Sequence, residues 1–332
     1  MMKTITQYGI TTEYAYFLGN QKSFYIQRLD GDVPDKYIYP GDSIKYKLDV
    51  QLTVLYDTFR DVFFPDLALY YSELASLPIL LQCAGQDSEF TCSSEMFQEL
   101  ILYAESQNFP DLYRHLYLVD CQFMIGTIQN LLLGMEDAFI NYFEKISTIN
   151  LKVNPEEQDA TFIVRSGETI SISGLLENYF IKAYSILDLL CKIAFELQSP
   201  ETEFRVYKKL KSAKVLWGER KNLLINDTPG TVFEKDDLIR TIESIRNEVV
   251  HNGTWELNPK AFLRYDNGQI VERYMFFPDI YQGRLAAVKN RRHFFGDERK
   301  VNELLPQIHK VFRARILNTV NVLNHRTAER LE

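Results

Sequence analysis

The sequence predicts a mainly α-helical protein that carries a few short strands near its N-terminus. Apolar residues recur at the helical period between residues 46 and 148, where proline or glycine interrupts the pattern at intervals. Four further helices are predicted, at 175–197, 203–224, 236–253 and 298–331.

The first 45 residues alternate aromatic and polar residues, which is typical of strands. Residue pairs that favour turns separate the alternating stretches: Gly19-Asn20, Asp30-Gly31 and Pro40-Gly41. The polar stretch from Asn150 to Asp159 is the best candidate for a linker. We therefore expect an α-rich accessory domain with a few short strands at 1–150 and a helical domain at 160–332.

Two hairpins are predicted in the second domain. The first would span Thr161 to Ile172, with its turn at Ser166-Gly167. The second would span Ala261 to Phe277, with its turn at Asp266-Asn267-Gly268, a sequence that suits a tight antiparallel connection.

Composition favours a cytoplasmic protein without a membrane partner. The chain has 37 Lys or Arg against 45 Asp or Glu, a net charge of −8, which argues against non-specific coating of nucleic acid or anionic lipid. The N-terminus does not resemble a signal peptide, and the four cysteines form no Cys-x-x-Cys pair, so free thiols in a reducing compartment are expected. The most apolar window, Leu116 to Met135, contains Asp120 and is expected to be a buried core helix.

No sequence motif predicts a cofactor or a metal. The chain lacks the GxxxxGK, GxSxG, HExxH and GxGxxG patterns, so nucleotide hydrolysis, α/β-hydrolase chemistry and zinc proteolysis have no support. Asp297-Glu298-Arg299-Lys300 contains the Glu-x-Lys fragment of metal-dependent nucleases. It follows Gly296 at the predicted start of a helix, where acidic residues are favoured in any case.

The predicted helix at 175–197 is apolar around most of its circumference, and its polar residues fall along one stripe. That stripe consists of Glu177, Tyr184, Asp188, Lys192 and Glu196. One interpretation is a solvated stripe in which Asp188 pairs with Lys192. The alternative is that one of its carboxylates supports a buried cation.

The segment from Asp236 to Gly253 predicts a well-defined helix. An aspartate suits its start, and Asn252-Gly253 suits its end. Asn247 and His251 lie about 40° apart around the helix axis, on the polar face. Arg246 projects instead toward the apolar side, where a guanidinium must snorkel to solvent, find a carboxylate or face a partner surface.

Arg246-Asn247-Glu248-Val249-Val250-His251 resembles the Arg-x4–6-His motif of the HEPN superfamily, including the asparagine that often follows the arginine. Residues 179–188, YFIKAYSILD, also look like an opening helix of the abortive-infection-like branch. The resemblance covers roughly residues 165–330. It implies a C-terminal HEPN-like helical bundle that forms a homodimer.

The resemblance also implies a function, a metal-independent endoribonuclease of toxin or anti-phage type that acts on an RNA substrate and has a cognate antitoxin as a candidate partner. His251 would be the acid or base, Arg246 would clamp the phosphate and Asn247 would orient these groups. Asp188 or Glu177 would be the carboxylate that supports Arg246. The products would carry a 2′,3′-cyclic phosphate and a 5′-hydroxyl.

A non-catalytic role stays open beside the nuclease. A histidine at a helix end is commonly only a capping residue, and a half-buried arginine is commonly part of a structural ion pair. The HEPN superfamily also includes dimeric modules without nuclease activity. The alternative function is therefore a HEPN-like dimeric scaffold that binds a protein, a nucleotide or RNA.

The C-terminal residues 284–332 carry the basic charge of the chain, with 11 Lys or Arg against 5 Asp or Glu. Within them Arg291 and Arg292 stand beside His293 and Phe294, a mixture suited to phosphate contact and base stacking. We expect Arg291, Arg292 and Phe294 to bind RNA. A solvated basic surface that balances acidic charge elsewhere is the alternative.

Overall fold

The computed structural model describes residues 2–5, 11–14, 27–28, 37–38, 43–151 and 159–331. It is mostly helical with a few short strands, as the sequence predicts. Its eight helices in these ranges are α1 (Ser43–Phe63), α2 (Leu67–Ser76), α3 (Ile79–Cys83), α4 (Ser94–Ser106), α5 (Leu112–Thr148), α6 (Gly167–Gln198), α7 (Asp237–Asn252) and α8 (Val301–Leu331).

The N-terminal strands form two antiparallel pairs. β1 (Met2–Ile5) pairs with β2 (Thr11–Tyr14), and β3 (Gln27–Arg28) pairs with β4 (Tyr37–Ile38). The expectation of short strands in this region is thus confirmed. The three predicted turns lie outside the described residues.

The predicted helical region between 46 and 148 consists of α1 to α5, and its breaks occur at residues that end or start helices. The Asp66 side chain caps α2 by accepting hydrogen bonds from the backbone N–H of Ala68 and of Leu69. Ser93 caps α4 in the same way by accepting from the N–H of Met96. Pro78 precedes the first residue of α3, which fits a residue that has no N–H to donate.

Helix α5 is long and apolar enough to cross a membrane by length and composition, and 44% of its apolar 18-residue stretch is buried. Core helices of soluble proteins meet the same criterion. The expectation of no membrane partner stays a prediction.

The predicted hairpin at Thr161–Ile172 is wrong. β5 (Thr161–Val164) is a strand, but helix α6 begins directly after it. Ser166 and Thr169 exchange hydrogen bonds that start the helix: the Thr169 hydroxyl accepts from the Ser166 N–H, and the Thr169 N–H donates to the Ser166 hydroxyl. The Ser-Gly pair is therefore a helix start, which uses the same residue types as a turn.

The second predicted hairpin is confirmed. β6 (Ala261–Asp266) pairs antiparallel with β7 (Gln269–Tyr274), and β5 adds to the other edge of β6 to give a three-stranded sheet. Asn267 and Gly268 adopt φ angles of 50° and 72°, as a two-residue turn of this handedness requires.

The predicted helix at 203–224 is also wrong. This segment contains two short 3₁₀ turns, Lys211–Lys214 and Trp217–Asn222, separated by extended residues. Two side chains of α6 accept hydrogen bonds from the backbone of this segment. Glu196 accepts from the N–H of Ser212 at 2.7 Å, and Asp188 accepts from the N–H of Trp217 at 2.7 Å. Tertiary hydrogen bonds thus replace the helical ones that the basic, periodic sequence suggested.

The residues group by contact into two compact units, each drawn from three stretches of chain. The first comprises Met1–Tyr46, Leu131–Ser185 and Lys235–Arg315. The second comprises Lys47–Asn130, Ile186–Glu234 and Ile316–Glu332. The proposed division between 150 and 160 stays a prediction, and most of its linker, residues 152–158, lies outside the described residues.

A buried histidine organises the core of the first unit. The His309 ring stacks on Phe139 with 4.2 Å between centroids, and its Nδ1 lies 3.3 Å from the Tyr179 hydroxyl oxygen. Burial lowers the pKa of His309 to about 3, so the ring is neutral at physiological pH. It packs as an aromatic side chain with one polar tip.

The second unit has a buried cluster of aromatic rings. Phe63, Tyr117 and Phe204 meet edge to face, with centroid separations of 5.7–5.8 Å. The Tyr117 hydroxyl donates to the Glu196 carboxylate at 2.9 Å and accepts from the N–H of Lys211 at 3.0 Å. Glu196 is 0% exposed, and its carboxylate thereby joins three segments of the unit.

Candidate functional site

Helix α7 has a defined start and a defined end, which fix where the motif residues lie. The Asp236 carboxylate accepts from the N–H of Leu238 at 2.7 Å and caps the first turn. Gly253 ends the helix in the left-handed conformation, with φ of 90°, and its N–H donates to the carbonyl of Val249. The motif from Arg246 to His251 therefore occupies the last two turns of the helix, as predicted.

Arg246 is half-buried and contacts an aromatic ring. Its guanidinium carbon lies 4.3 Å from the centroid of the Tyr184 ring, which α6 contributes. Its Nη1 donates to the side-chain oxygen of Asn247 at 3.0 Å. A guanidinium that stacks on a ring by its face keeps the N–H donors in its plane available to other groups.

His251 is exposed in the last turn of α7. Asn247 lies one turn earlier, a spacing that places the two side chains about 5–6 Å apart at their Cβ atoms. Because Asn247 also accepts from Arg246, it lies between the two residues that the motif defines. Asn247 is thus next to both Arg246 and His251, which themselves lie about 140° apart around the helix axis.

A buried carboxylate inside the motif connects α7 to the basic segment. Glu248 is 6% exposed, and its carboxylate lies 3.3 Å from Nη1 of Arg292 and 3.2 Å from Nε2 of His293. The Asn252 amide donates to the same carboxylate at 3.0 Å. Glu248 therefore holds the chain around residues 292–293 against the end of the helix.

A short hairpin lies against the first half of α7. Its strands are β8 (Ile280–Tyr281) and β9 (Arg284–Leu285), and the N–H of Leu285 donates to the Ser244 hydroxyl at 3.0 Å. Gly283 adopts φ of 74°, and a Cβ there would lie 2.5 Å from Cβ of Arg240 and 2.6 Å from the carbonyl oxygen of Asp237. The hairpin can approach the helix this closely only because residue 283 is glycine.

Replacing Gly283 with alanine is expected to lower the free energy of unfolding by about 2–3 kcal/mol. The left-handed conformation costs about 1–2 kcal/mol for a residue with a Cβ, and the contact with the α7 backbone adds to that cost. Gly268→Ala is the matched control, because Gly268 has φ of 72° but open space at its Cβ position. Urea denaturation of the two variants measures the difference, and equal losses would contradict the close packing of this hairpin on α7.

The two carboxylates that were predicted to support Arg246 have other contacts. Asp188 accepts from the N–H of Trp217, as described above. Glu177 accepts from the Thr254 hydroxyl at 2.8 Å, and burial raises the pKa of this carboxyl group. These contacts brace the segments that follow α6 and α7, and a direct role beside Arg246 stays a prediction.

The predicted RNA-binding residues lie in the segment after the hairpin. Arg291 and Arg292 are exposed, and Phe294 is half-buried. Arg291 exchanges two backbone hydrogen bonds with Val288, and the Phe294 carbonyl accepts from the N–H of Asp279 at 2.7 Å. The described contacts bring Arg292 to the motif helix through Glu248.

Within the described ranges, no group of three or more His, Cys, Asp or Glu side chains could hold a metal ion. Lys300 of the Glu-x-Lys fragment pairs with Glu272 and lies 4.6 Å from the Tyr274 ring centroid. These contacts give Lys300 a structural role at the sheet.

The sequence alone did not predict that Glu248, His293 and Tyr184 belong to the site. Tyr184 belongs to the polar stripe of α6, and its spacing alone does not show that it lies under an arginine from α7. Glu248 and His293 are separated by 45 positions, so only the fold brings them together. A glutamate inside the motif and a histidine inside a basic segment were the signals available.

Comparisons of the chain with protein-family models, with curated proteins and with solved structures find no match. The geometry of this site and the short motif within it are therefore what bear on function.

Proposed function

We propose that the C-terminal half of α7, together with residues 284–294, forms the site of a metal-independent endoribonuclease of the HEPN type. One observation carries the proposal: exposed His251 lies one turn after Asn247, which in turn holds Arg246. An orienting amide thus lies next to an anion-binding group and one turn before an acid or base.

The chemistry needs only proton transfer and charge stabilisation, since RNA carries its own nucleophile. The 2′-oxygen forms a bond to phosphorus while the bond from phosphorus to the 5′-oxygen breaks. A neutral histidine takes the 2′-hydroxyl proton, and a protonated histidine gives a proton to the departing 5′-oxygen. A homodimer would supply these two histidines as the two copies of His251.

Arg246 suits the charged intermediate because of how it is held. Stacking on Tyr184 restrains the guanidinium and leaves in-plane N–H groups for phosphate oxygens. A donor that is already oriented costs little reorganisation when charge develops on phosphorus. Arg246 is the proposed phosphate clamp.

Charge at the end of α7 also favours an RNA substrate. Arg292 pairs with the Glu248 carboxylate, and the neighbouring Arg291 is exposed and would be available to a phosphate group. Their attraction for phosphate is local, which agrees with a chain that is acidic as a whole.

Exposed apolar side chains beside the motif support the proposed homodimer. Val250 within the motif is 49% exposed and Leu257 just beyond it is 76% exposed. Large contiguous apolar patches mark surfaces that bind a partner, and these two side chains would form part of such a patch at the proposed dimer surface.

Cleavage of RNA by the purified protein in excess EDTA tests the proposed function. We expect fragments from RNA and none from single-stranded DNA of the same sequence, because DNA lacks the 2′-hydroxyl. Cleavage that requires an added divalent metal, or equal cleavage of DNA, would overturn the proposal.

The second candidate is a dimeric binding module without nuclease activity. It is favoured by the contacts of Arg246 with Tyr184 and Asn247, since these also suit a residue that only stabilises the packing of α7 on α6. Under this alternative RNA or a protein partner binds, no RNA fragments form in EDTA, and Arg246→Ala destabilises the fold.

A further inference from the structure

The second unit contains a cavity that has no part in the proposed RNA chemistry. Its volume is about 450 Å³, within the range of small-molecule sites. Its walls are formed by the end of α3, residues 84–86 and 92–93, the start of α4, the first third of α5 and Tyr207. Most of the surface is apolar, contributed by Leu81, Phe97, Leu116, Val119 and Phe123.

One carboxylate lies among these apolar walls. Asp120 of α5 is half-buried and accepts a hydrogen bond from the Tyr207 hydroxyl at 2.8 Å. Burial raises the pKa of Asp120 to about 6, and the bond from Tyr207 offsets only part of that effect. Burial therefore disfavours the ionised carboxylate, and a cation bound beside it would stabilise that form.

Two side-chain amides add hydrogen-bond acceptors to the cavity. The amide nitrogens of Gln82 and Gln86 donate to the carbonyls of Leu77 and Gln82, and the side-chain carbonyl oxygens can accept further bonds. No lysine, arginine or histidine is among the described residues that line the cavity. A ligand that donates hydrogen bonds and carries positive charge matches this lining.

Among the described residues that line the cavity, the start of α4 could favour an anion, and the neighbouring Glu95 supplies that negative charge. Ser93 caps the helix, and hydrogen bonds from its own backbone N–H and from the Ser93 and Ser94 side chains lower the pKa of Glu95. The positive end of this helix is thus already balanced, which leaves Asp120 as the charge that selects a ligand.

We propose that this cavity binds a small organic cation, an amine with an aromatic or aliphatic body, with Asp120 as its counter-ion. The ammonium group would contact the Asp120 carboxylate, and the apolar body would lie against the rings of Phe97 and Phe123, whose faces also attract cations. The proposal is independent of the proposed ribonuclease.

Calorimetric titration with benzylamine at pH 8 tests this site, with benzyl alcohol and sodium benzoate as probes of the same size. Benzylamine is expected to bind at least about tenfold more tightly than benzyl alcohol, and benzoate more weakly still. Its affinity should fall as the pH is lowered through about 6, because Asp120 then takes up a proton.

Asp120→Asn is expected to remove the preference for the amine over the alcohol. The amide keeps an oxygen that can accept from Tyr207, so this variant should fold. Asp49→Asn is the matched control, an exposed aspartate of the same unit outside the cavity, and it should bind benzylamine as the wild type does. Val119→Trp, which fills the cavity, should abolish binding of both neutral and cationic probes.

Several results would overturn the proposal. These are no binding of benzylamine at millimolar concentration, equal affinity for amine and alcohol, or undiminished amine binding by Asp120→Asn. If Asp120→Asn does not fold, the selectivity of the wild type and the loss of binding in Val119→Trp decide the question.

Discussion

Replacing His251 with alanine is expected to lower the rate of RNA cleavage by about 10²–10⁴-fold, the usual contribution of a general acid or base. The imidazole is exposed at the end of α7, so its removal should leave the core intact. The effect should therefore appear in the rate at saturating RNA, with little change in the free energy of unfolding. Single-turnover cleavage in EDTA measures the rate, and urea denaturation measures stability.

His325→Ala is the control for this substitution. His325 is exposed near the end of α8, and the motif does not include it. We expect His325→Ala to cleave RNA at the wild-type rate. Equal cleavage by wild type and His251→Ala would show that His251 is only a helix-end residue.

Replacing Glu196 with alanine is expected to cost about 3–5 kcal/mol of folding stability. The carboxylate is 0% exposed and accepts from the Tyr117 hydroxyl and the Ser212 N–H. Its removal leaves two buried donors without their acceptor, each worth about 1–3 kcal/mol, and also opens a cavity. Denaturation by urea or heat, followed by circular dichroism, provides the measurement.

Two further variants separate the lost hydrogen bonds from general effects of the substitution. Glu196→Gln keeps one acceptor oxygen and should lose less than Glu196→Ala. Glu203→Ala removes an exposed glutamate of the same unit and should change stability by no more than about 0.5 kcal/mol. A loss of under 1 kcal/mol for Glu196→Ala would contradict the role of Glu196 in joining these segments.

Local signals predicted the parts of the fold that local physics determines. The capping aspartate and the Asn-Gly end of α7 mark the two ends of that helix through local hydrogen bonds. The Asp266-Asn267-Gly268 turn likewise fixes the hairpin of β6 and β7, because φ above zero at two successive residues restricts the choice of sequence.

Long-range contacts explain the predictions that were wrong. The stripe on α6 suggested a solvated surface, whereas Asp188 and Glu196 accept backbone hydrogen bonds from residues more than ten positions away. The same bonds keep residues 211–222 from forming a regular helix. The sequence had predicted a helix there. A single sequence does not reveal which polar stripe will be covered.

The candidate site also has a part that the sequence predicted and a part that depends on long-range contacts. The motif residues could be found because they are close in sequence and lie on one capped helix. The Tyr184 ring beneath Arg246 and the Glu248 contacts to Arg292 and His293 depend on how separate segments pack, so the sequence could only suggest the basic segment as a neighbour.

The most direct test of the proposed ribonuclease is the chemistry of the fragment ends produced in excess EDTA. Attack by the 2′-oxygen leaves a 2′,3′-cyclic phosphate on one fragment and a 5′-hydroxyl on the other, which mass spectrometry of a short RNA distinguishes. We expect these two fragment ends from the wild type and no such fragments from His251→Ala. Fragments with a 3′-hydroxyl and a 5′-phosphate, or no fragments from the wild type, would contradict it.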